Sequence, residues 1–194
     1  MQNPYDSIAG EWHAYRRQFG AKQYVDSLLG RLKPGVKILD LGCGTGQPIA
    51  QYLVQNNFRV VGVDQSTSML EIARRMVPEA ELIHADMCEV NLDDEFAAAI
   101  CWDSIFHVGR SQHQAIFRKL SNLLAPGGWL LLSAGVTGHE GFTSEMFGHE
   151  FFYSGYEIEE TLRLLRSVEF EIDLCEVDDP SSLGHMAIIA RKVA

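Results

Sequence analysis

The chain has 194 residues, room for one sizeable core and short for two. Hydrophobic residues make up 46% and charged residues 22%, and no apolar run approaches the ~20 residues that a membrane helix needs. The net charge is −10: residues 1–37 carry a small basic excess and the remainder is strongly acidic, so most of the surface repels a phosphate backbone and nucleic acid is excluded as a first-choice partner.

The opening MQNPYDSIAGEW has neither a basic region nor an apolar run of the kind that directs export, so a cytoplasmic protein without membrane attachment is expected. Cysteines stand at 43, 88, 101 and 175 with no CxxC spacing. Three of them sit in or beside apolar runs, as buried free thiols do, and neither a disulfide framework nor a metal site is expected.

Two helices are expected first. Asn3-Pro4 supplies a cap and first turn, and Tyr5, Ile8, Trp12, Tyr15 and Phe19 recur at spacings of three and four. Val25, Leu28, Leu29 and Leu32 mark the second helix, stopped by Lys33-Pro34-Gly35. Short apolar runs then alternate with helix-period segments, the pattern of an α/β domain with a mostly parallel sheet. Strands are predicted at 36–41, 59–63, 81–84, 96–101 and 129–134, with helices from about Gln47, after the cap Ser66, and over 111–124. Gly135–Tyr153 is long, aromatic and aperiodic, and reads as an ordered functional lid. Ser154-Gly155-Tyr156-Glu157 reads as a capping box for a helix bearing Ile158, Leu162 and Leu165. Strands at 170–177 and 185–192, joined by an Asp-Asp-Pro-Ser-Ser loop, suit an antiparallel pair at the sheet edge.

The run Ile38-Leu39-Asp40-Leu41-Gly42-Cys43-Gly44-Thr45-Gly46 sets three alternate glycines between a strand and a helix. Glycines let a backbone turn approach a ligand lying against the strand end. Asp64, at the end of the second strand, is placed to accept both hydroxyls of a ribose. An adenosine-containing cofactor follows, with a dinucleotide still open. Against the dinucleotide stand the G-x-G-x-G spacing, where a pyrophosphate site has G-x-G-x-x-G, and the acidic Asp40 before the first glycine. A carboxylate there opposes a pyrophosphate and favours a cation such as an α-ammonium.

ILDLGCGTGQP resembles motif I of the class I S-adenosylmethionine-dependent methyltransferases, and VVGVDQS, HADM, FAAAICWDSIFHV and LAPGGWLLLS follow in a similar order over roughly residues 36–135. The resemblance implies a Rossmann-like, doubly wound, mostly parallel seven-stranded sheet with an antiparallel final strand and helices on both faces, in a single domain. It implies a helical cap over 1–35, a cofactor-binding core over 36–135, a substrate lid over 136–155, and a helix and β-hairpin over 156–194. Gly42, Gly44 and Gly46 would then pass beneath the methionine and ribose, Asp40 would hold the ammonium, and Asp64 with Gln65 beside it the ribose. Asp86 would meet the adenine amino group with Met87 against the ring, and Cys101 and Trp102 would close the site. Phe96-Ala97 departs from the Phe-Asp that often opens this strand in the family. Cys101-Trp102-Asp103-Ser104 replaces the tetrad of the nucleic-acid amino methyltransferases, a further argument against DNA.

In-line methyl transfer needs a base only when the acceptor must lose a proton. His107 is the candidate, oriented by Asp103 if the chain turns helically between them; the bland alternative is packing against the next helix. Phe106, His139, His149 and Tyr153 are expected to contact substrate, or to anchor a loop. Trp12 is expected there too, and Tyr15 at the cofactor carboxylate, in line with an amino-terminal helix that often covers the cofactor in this family. Arg16 and Arg17 read as solvated cations or partners of an anionic group. The expected function is methyl transfer from S-adenosylmethionine, with S-adenosylhomocysteine as product, to a small molecule, by a monomer or homodimer. A non-catalytic cofactor-binding module and a nicotinamide-dependent oxidoreductase are the alternatives.

Overall fold

The computed structural model of this chain describes residues 3–16, 18–178 and 184–193. Arg17 and most of the predicted Asp-Asp-Pro-Ser-Ser loop lie outside the described residues. Seven strands form one sheet: β1 (Lys37–Leu41), β2 (Arg59–Asp64), β3 (Glu81–His84), β4 (Phe96–Cys101), β5 (Leu124–Gly135), β8 (Phe170–Val177) and β9 (His185–Lys192). Their order is β3-β2-β1-β4-β5-β9-β8. β1 to β5 pair in parallel, and β9 lies antiparallel between β5 and β8. The final strand is therefore inside the sheet, and β8 takes the edge.

The apolar strands face helices on both sides, so successive residues feed two cores. On β1 and β4, Ile38, Ala98 and Ile100 join one core with α2 (Lys22–Leu29) and α3 (Ile49–Gln55). Leu39, Leu41, Ala99 and Cys101 join the other, with α5 (His113–Leu123) and α6 (Ile158–Arg166). Helix α4 (Thr67–Met76) packs on β2 and β3, and Ser66 caps it by accepting from the Met69 amide at 3.1 Å. Because the chain leaves β3 at one edge and returns to β4 on the far side of β1, the strand order reverses between β1 and β4. The carboxyl ends of those two strands form the crevice where open sheets bind ligands.

Several boundaries differ from the sequence reading. Helix α1 (Pro4–Tyr15) begins on its Asn3 cap as predicted, but ends before Phe19. Helix α2 stops at Gly30, short of Leu32. The helix expected over 111–124 starts at His113 after two short 3-10 turns. Ser154 caps nothing: Glu157 precedes α6 without a side-chain cap, and the Ser154 hydroxyl instead donates to the carbonyls of His139 and Glu140. Gly135–Tyr153 is largely a hairpin of β6 (His139–Met146) and β7 (His149–Gly155), turning at Phe147-Gly148. Only two cysteines are buried, Cys43 and Cys101; Cys88 is half-buried and Cys175 exposed.

Candidate active site

The crevice is built on turns that need their glycines. Gly42, Gly44 and Gly46 have φ of +85°, +53° and +74°, the left-handed region. A Cβ on Gly42 would also stand 2.4 Å from the Ser104 Cβ, so the turns after β1 and β4 pack too closely for a side chain. The Ser104 hydroxyl ties them by donating to the Leu41 carbonyl at 3.1 Å.

Asp64 ends β2 inside this crevice. One carboxylate oxygen accepts from the Gly44 amide and the other from the Ser66 amide, each at 2.8 Å. That fixes the carboxylate plane while leaving lone pairs on both oxygens for ligand hydroxyls. Burial raises its pKa, and the two amides oppose the rise. Asp40, at the floor, accepts no hydrogen bond among the described residues. Burial, with the Asp64 charge beside it, pushes it up to about 7. A buried carboxylate without a partner is costly, and a cationic ligand is what relieves it. Asp86 accepts from the Cys88 amide at 2.7 Å through one oxygen, leaving the other for a ligand donor. The lining also includes Gln65, Met87 and Trp102.

Helix α1 closes the crevice from above. Tyr5, Trp12 and Arg16 line it, and Arg16 forms an ion pair with Asp103 just past β4. Asp6 holds the helix to the start of α4, accepting from the Ser66 hydroxyl at 2.6 Å and the Ser68 amide at 3.1 Å. Tyr5 meets His107: its hydroxyl lies 2.7 Å from Nε2, while Nδ1 lies 2.9 Å from the Phe152 carbonyl. A carbonyl only accepts, so Nδ1 carries the proton, Nε2 holds a lone pair, and the Tyr5 hydroxyl donates to it. Burial lowers the His107 pKa and keeps the ring neutral; the Phe152 carbonyl and Asp103 oppose this only in part. Burial raises the Tyr5 pKa, with Tyr153 and Asp103 adding to it, so the phenol keeps its proton.

Four expectations are corrected. Asp103 does not orient His107, because φ of +51° turns it toward Arg16 and His185, whose Nε2 is 3.3 Å away. Tyr15 is 67% exposed on the outer face of α1, against Phe147, and stays out of the crevice. The Cys101 side chain points into the core, 3.2 Å from the Ser104 hydroxyl, and does not line the site. His149 sits exposed at the far end of the hairpin. The other expected substrate residues divide. Trp12 faces the crevice, whereas Phe106, His139 and Tyr153 line a second cavity of about 270 Å³ under the hairpin. Sequence reasoning missed Tyr5 as a partner of His107, along with His185. Burial pulls the His185 pKa down, but its hydrogen bond to Asp103 and the nearby Asp178 outweigh that and push it up to about 9.

Residues 38–128 match the family model described as a methyltransferase domain. By that match, residues 38–128 form a methyltransferase domain. Over 105 residues, 53% of this chain and 41% of the relative, it is 34% identical to a dTDP-3-amino-3,6-dideoxy-alpha-D-glucopyranose N,N-dimethyltransferase of Streptomyces fradiae. Over 119 residues, 58% of this chain and 23% of the relative, it is 35% identical to phosphoethanolamine N-methyltransferase 3 of Arabidopsis thaliana. The matched stretch thus spans less than half of either relative. Nearly the whole chain shares its fold with solved structures. A Burkholderia thailandensis 1,6-didemethyltoxoflavin-N1-methyltransferase, solved with 1,6-didemethyltoxoflavin and S-adenosylhomocysteine, superposes with a TM-score of 0.76 at 19% identity, covering 98% of this chain and 86% of that one. A methyltransferase of Methanosarcina mazei gives 0.75 at 21% identity, over 85% of this chain and 96% of its own. Among the described residues no helix is long and apolar enough to cross a membrane.

Proposed function

We propose that this protein transfers a methyl group from S-adenosylmethionine to a small-molecule acceptor. The observation that carries the reading is the crevice floor: an amide-fixed Asp64 beside an unpartnered Asp40 under a side-chain-free glycine turn. The first suits a ribose diol. The second suits an α-ammonium and would repel the pyrophosphate of a nicotinamide dinucleotide. Asp86, with Met87, is left for the adenine edge, and Gln65 and Trp102 flank the same ligand. When bound, S-adenosylmethionine supplies a methyl group made electrophilic by its sulfonium.

The chain's own contribution is alignment, exclusion of water and, for acceptors that lose a proton, a base. Helix α1 caps the crevice over a core of residues 36–135, with the hairpin as a lid beside it, and so holds donor and acceptor in a dry site. An acceptor hydroxyl or amine that takes the place of the Tyr5 phenol at His107 gives its proton to Nε2. Nδ1 stays bonded to the Phe152 carbonyl, so the ring keeps its orientation through the step. Arg16 and His185 neutralise Asp103 at the mouth and leave it structural. The acidic surface favours a small acceptor over nucleic acid.

Calorimetric titration with S-adenosylhomocysteine tests the reading. The wild type is expected to bind it and Asp64→Ala, still folded by circular dichroism, to lose measurable binding. Equal affinity of the two would refute the ribose assignment. Absence of binding to the wild type would refute the cofactor.

A further inference from the structure

Of the carboxylates in the crevice, Asp86 stands on the least regular chain. Asp40 lies within β1 and Asp64 ends β2, whereas β3 stops at His84 and residues 85–95 form neither helix nor strand. The Ala85 amide still donates to the Asp64 carbonyl at 3.0 Å, as the last step of that ladder. Beyond it the turn is closed locally. The Asp86 carboxylate accepts from the Cys88 amide at 2.7 Å, and the Asp86 carbonyl accepts from the amides of Glu89 and Val90 at 3.0 and 2.8 Å. Bonds between such near neighbours fix the shape of a turn and leave its position open. The position is set from outside, by Met87 and Val90 against the core and by a lysine. The ammonium of Lys119 donates to the carbonyls of Met87 and Cys88 at 3.0 and 2.7 Å. Lys119 stands on α5 between Phe117 and Leu120, both fully buried, so its backbone is fixed on the sheet. A lysine at the surface ordinarily keeps its ammonium hydrated and its stem mobile. Here two successive carbonyls, 32 and 31 positions away in the sequence, hold it. Lys119 is not among the described residues that line the crevice, while Asp86, Met87 and Cys88 are.

We infer that Lys119 is a positioning residue for the cofactor's base: it holds the Asp86–Cys88 turn in place and so sets the preference of the crevice for adenine over a purine without the 6-amino group. The inference rests on the cofactor reading above and adds to it a residue that touches no ligand. Bonds from an ammonium to carbonyl oxygens are charge-assisted and strong for their kind, so their removal frees the turn. A hydrogen bond to the free Asp86 oxygen needs a donor within about 2.7–3.2 Å, which a displaced turn no longer offers. Asp64 is held by the Gly44 and Ser66 amides, and Asp40 by its place in β1, so the ribose and ammonium positions do not depend on Lys119. The loss therefore falls on the base alone. Adenine presents an amino group to Asp86, whereas hypoxanthine presents a carbonyl oxygen that a carboxylate repels.

The test is calorimetric titration of S-adenosylhomocysteine and S-inosylhomocysteine, which differ in the group at position 6 of the purine. It is made on the wild type, Lys119→Met and Lys119→Arg, with folding checked by circular dichroism. The wild type is expected to prefer the adenosyl ligand by about tenfold or more, the worth of one hydrogen bond to a charged group. Lys119→Met should cut that preference to about threefold or less, through weaker binding of the adenosyl ligand. Lys119→Arg, which keeps the charge and the donors, should restore most of it. A preference intact in Lys119→Met, whether or not both affinities fall together, would leave Lys119 a structural role and overturn the inference. So would a loss in Lys119→Arg as deep as in Lys119→Met, or a wild type that binds both ligands equally, which would remove Asp86 from the base. Should Lys119→Met not fold, the preference measured in Lys119→Gln decides by the same criterion. A wild type that binds neither ligand would overturn the cofactor reading and this inference with it, whereas binding with the preference intact in the variants removes only the assignment of Lys119.

Discussion

The crevice and the hairpin cavity lie on opposite sides of a cluster of rings, His107 facing the one and Phe106 and Tyr153 the other, and are built on opposite plans. The crevice is polar and acidic, and its groups are fixed by the backbone at strand ends: Asp64 by two amides, Asp86 by the Cys88 amide, the glycine turn by Ser104. The cavity is aromatic, and its walls come largely from a two-stranded ribbon outside the main sheet, with Phe106, Gly135 and His185 completing them. Backbone-fixed groups can hold one ligand in one pose, as a shared cofactor requires. Walls of side chains on a peripheral hairpin can change without disturbing the sheet.

The largest expected effect lies on the crevice side. Asp64→Ala removes two charge-assisted hydrogen bonds to the ligand, each worth about 1.5–3 kcal/mol, so S-adenosylhomocysteine affinity should fall by roughly 10³-fold. A loss under tenfold would place the ribose elsewhere. Next comes His107. His107→Ala should lower kcat by about 10²-fold for an acceptor that loses a proton, with cofactor affinity unchanged. In the wild type, the acid limb of the kcat profile, taken with the cofactor saturating, should lie below the ordinary histidine value of 6.5, since burial depresses this ring's pKa. A limb at or above 6.5, or a normal rate in the variant, would leave His107 a packing role only.

A third expectation concerns Asp40, held at about 7 in the unliganded crevice. An ammonium binds the ionised carboxylate, so affinity should be constant above pH 7 and fall toward tenfold per unit as the pH drops below it. Asp40→Asn should bind weakly at every pH and show no such slope. The same substitution should raise the melting temperature at pH 8, where a folded-state pKa raised above its unfolded value costs stability in full. That gain should fade as the pH falls through 7 toward 4. The smallest effect is expected from α1: Tyr5→Phe, which frees Nε2 of His107 in the resting enzyme, should change kcat/KM by only a few-fold, within about 1 kcal/mol. A loss comparable to that of His107→Ala would make the phenol itself part of the proton path.

The same division governs what the sequence makes legible. The strand β4 is predicted to the residue, and the glycine turn, Asp40, Asp64 and Asp86 all stand at the crevice, because each depends on a few adjacent residues with fixed backbone needs. The hairpin is hidden for two local reasons. Its turn is Phe147-Gly148, with φ of +50° and +73°, where an Asn-Gly or Asp-Gly pair would have announced it. Its inward face interrupts the aromatics with Ser144, which masks the alternation. Tyr5 and His107 are 102 residues apart and Arg16 and Asp103 are 87 apart, so no spacing rule connects either pair. Only Asp103, with a helical turn assumed after it, offered a local partner for His107, and its left-handed backbone removes that option.

Thermal unfolding with S-adenosylhomocysteine or with NADH, each at about 100 times its dissociation constant or at the solubility limit, tests the central claim most directly. A ligand bound only to the folded state adds about 2.7 kcal/mol at that excess, a rise of roughly 5–10 °C for a chain of this length. A rise with S-adenosylhomocysteine and none with NADH is the predicted result, and a rise with NADH alone would contradict it.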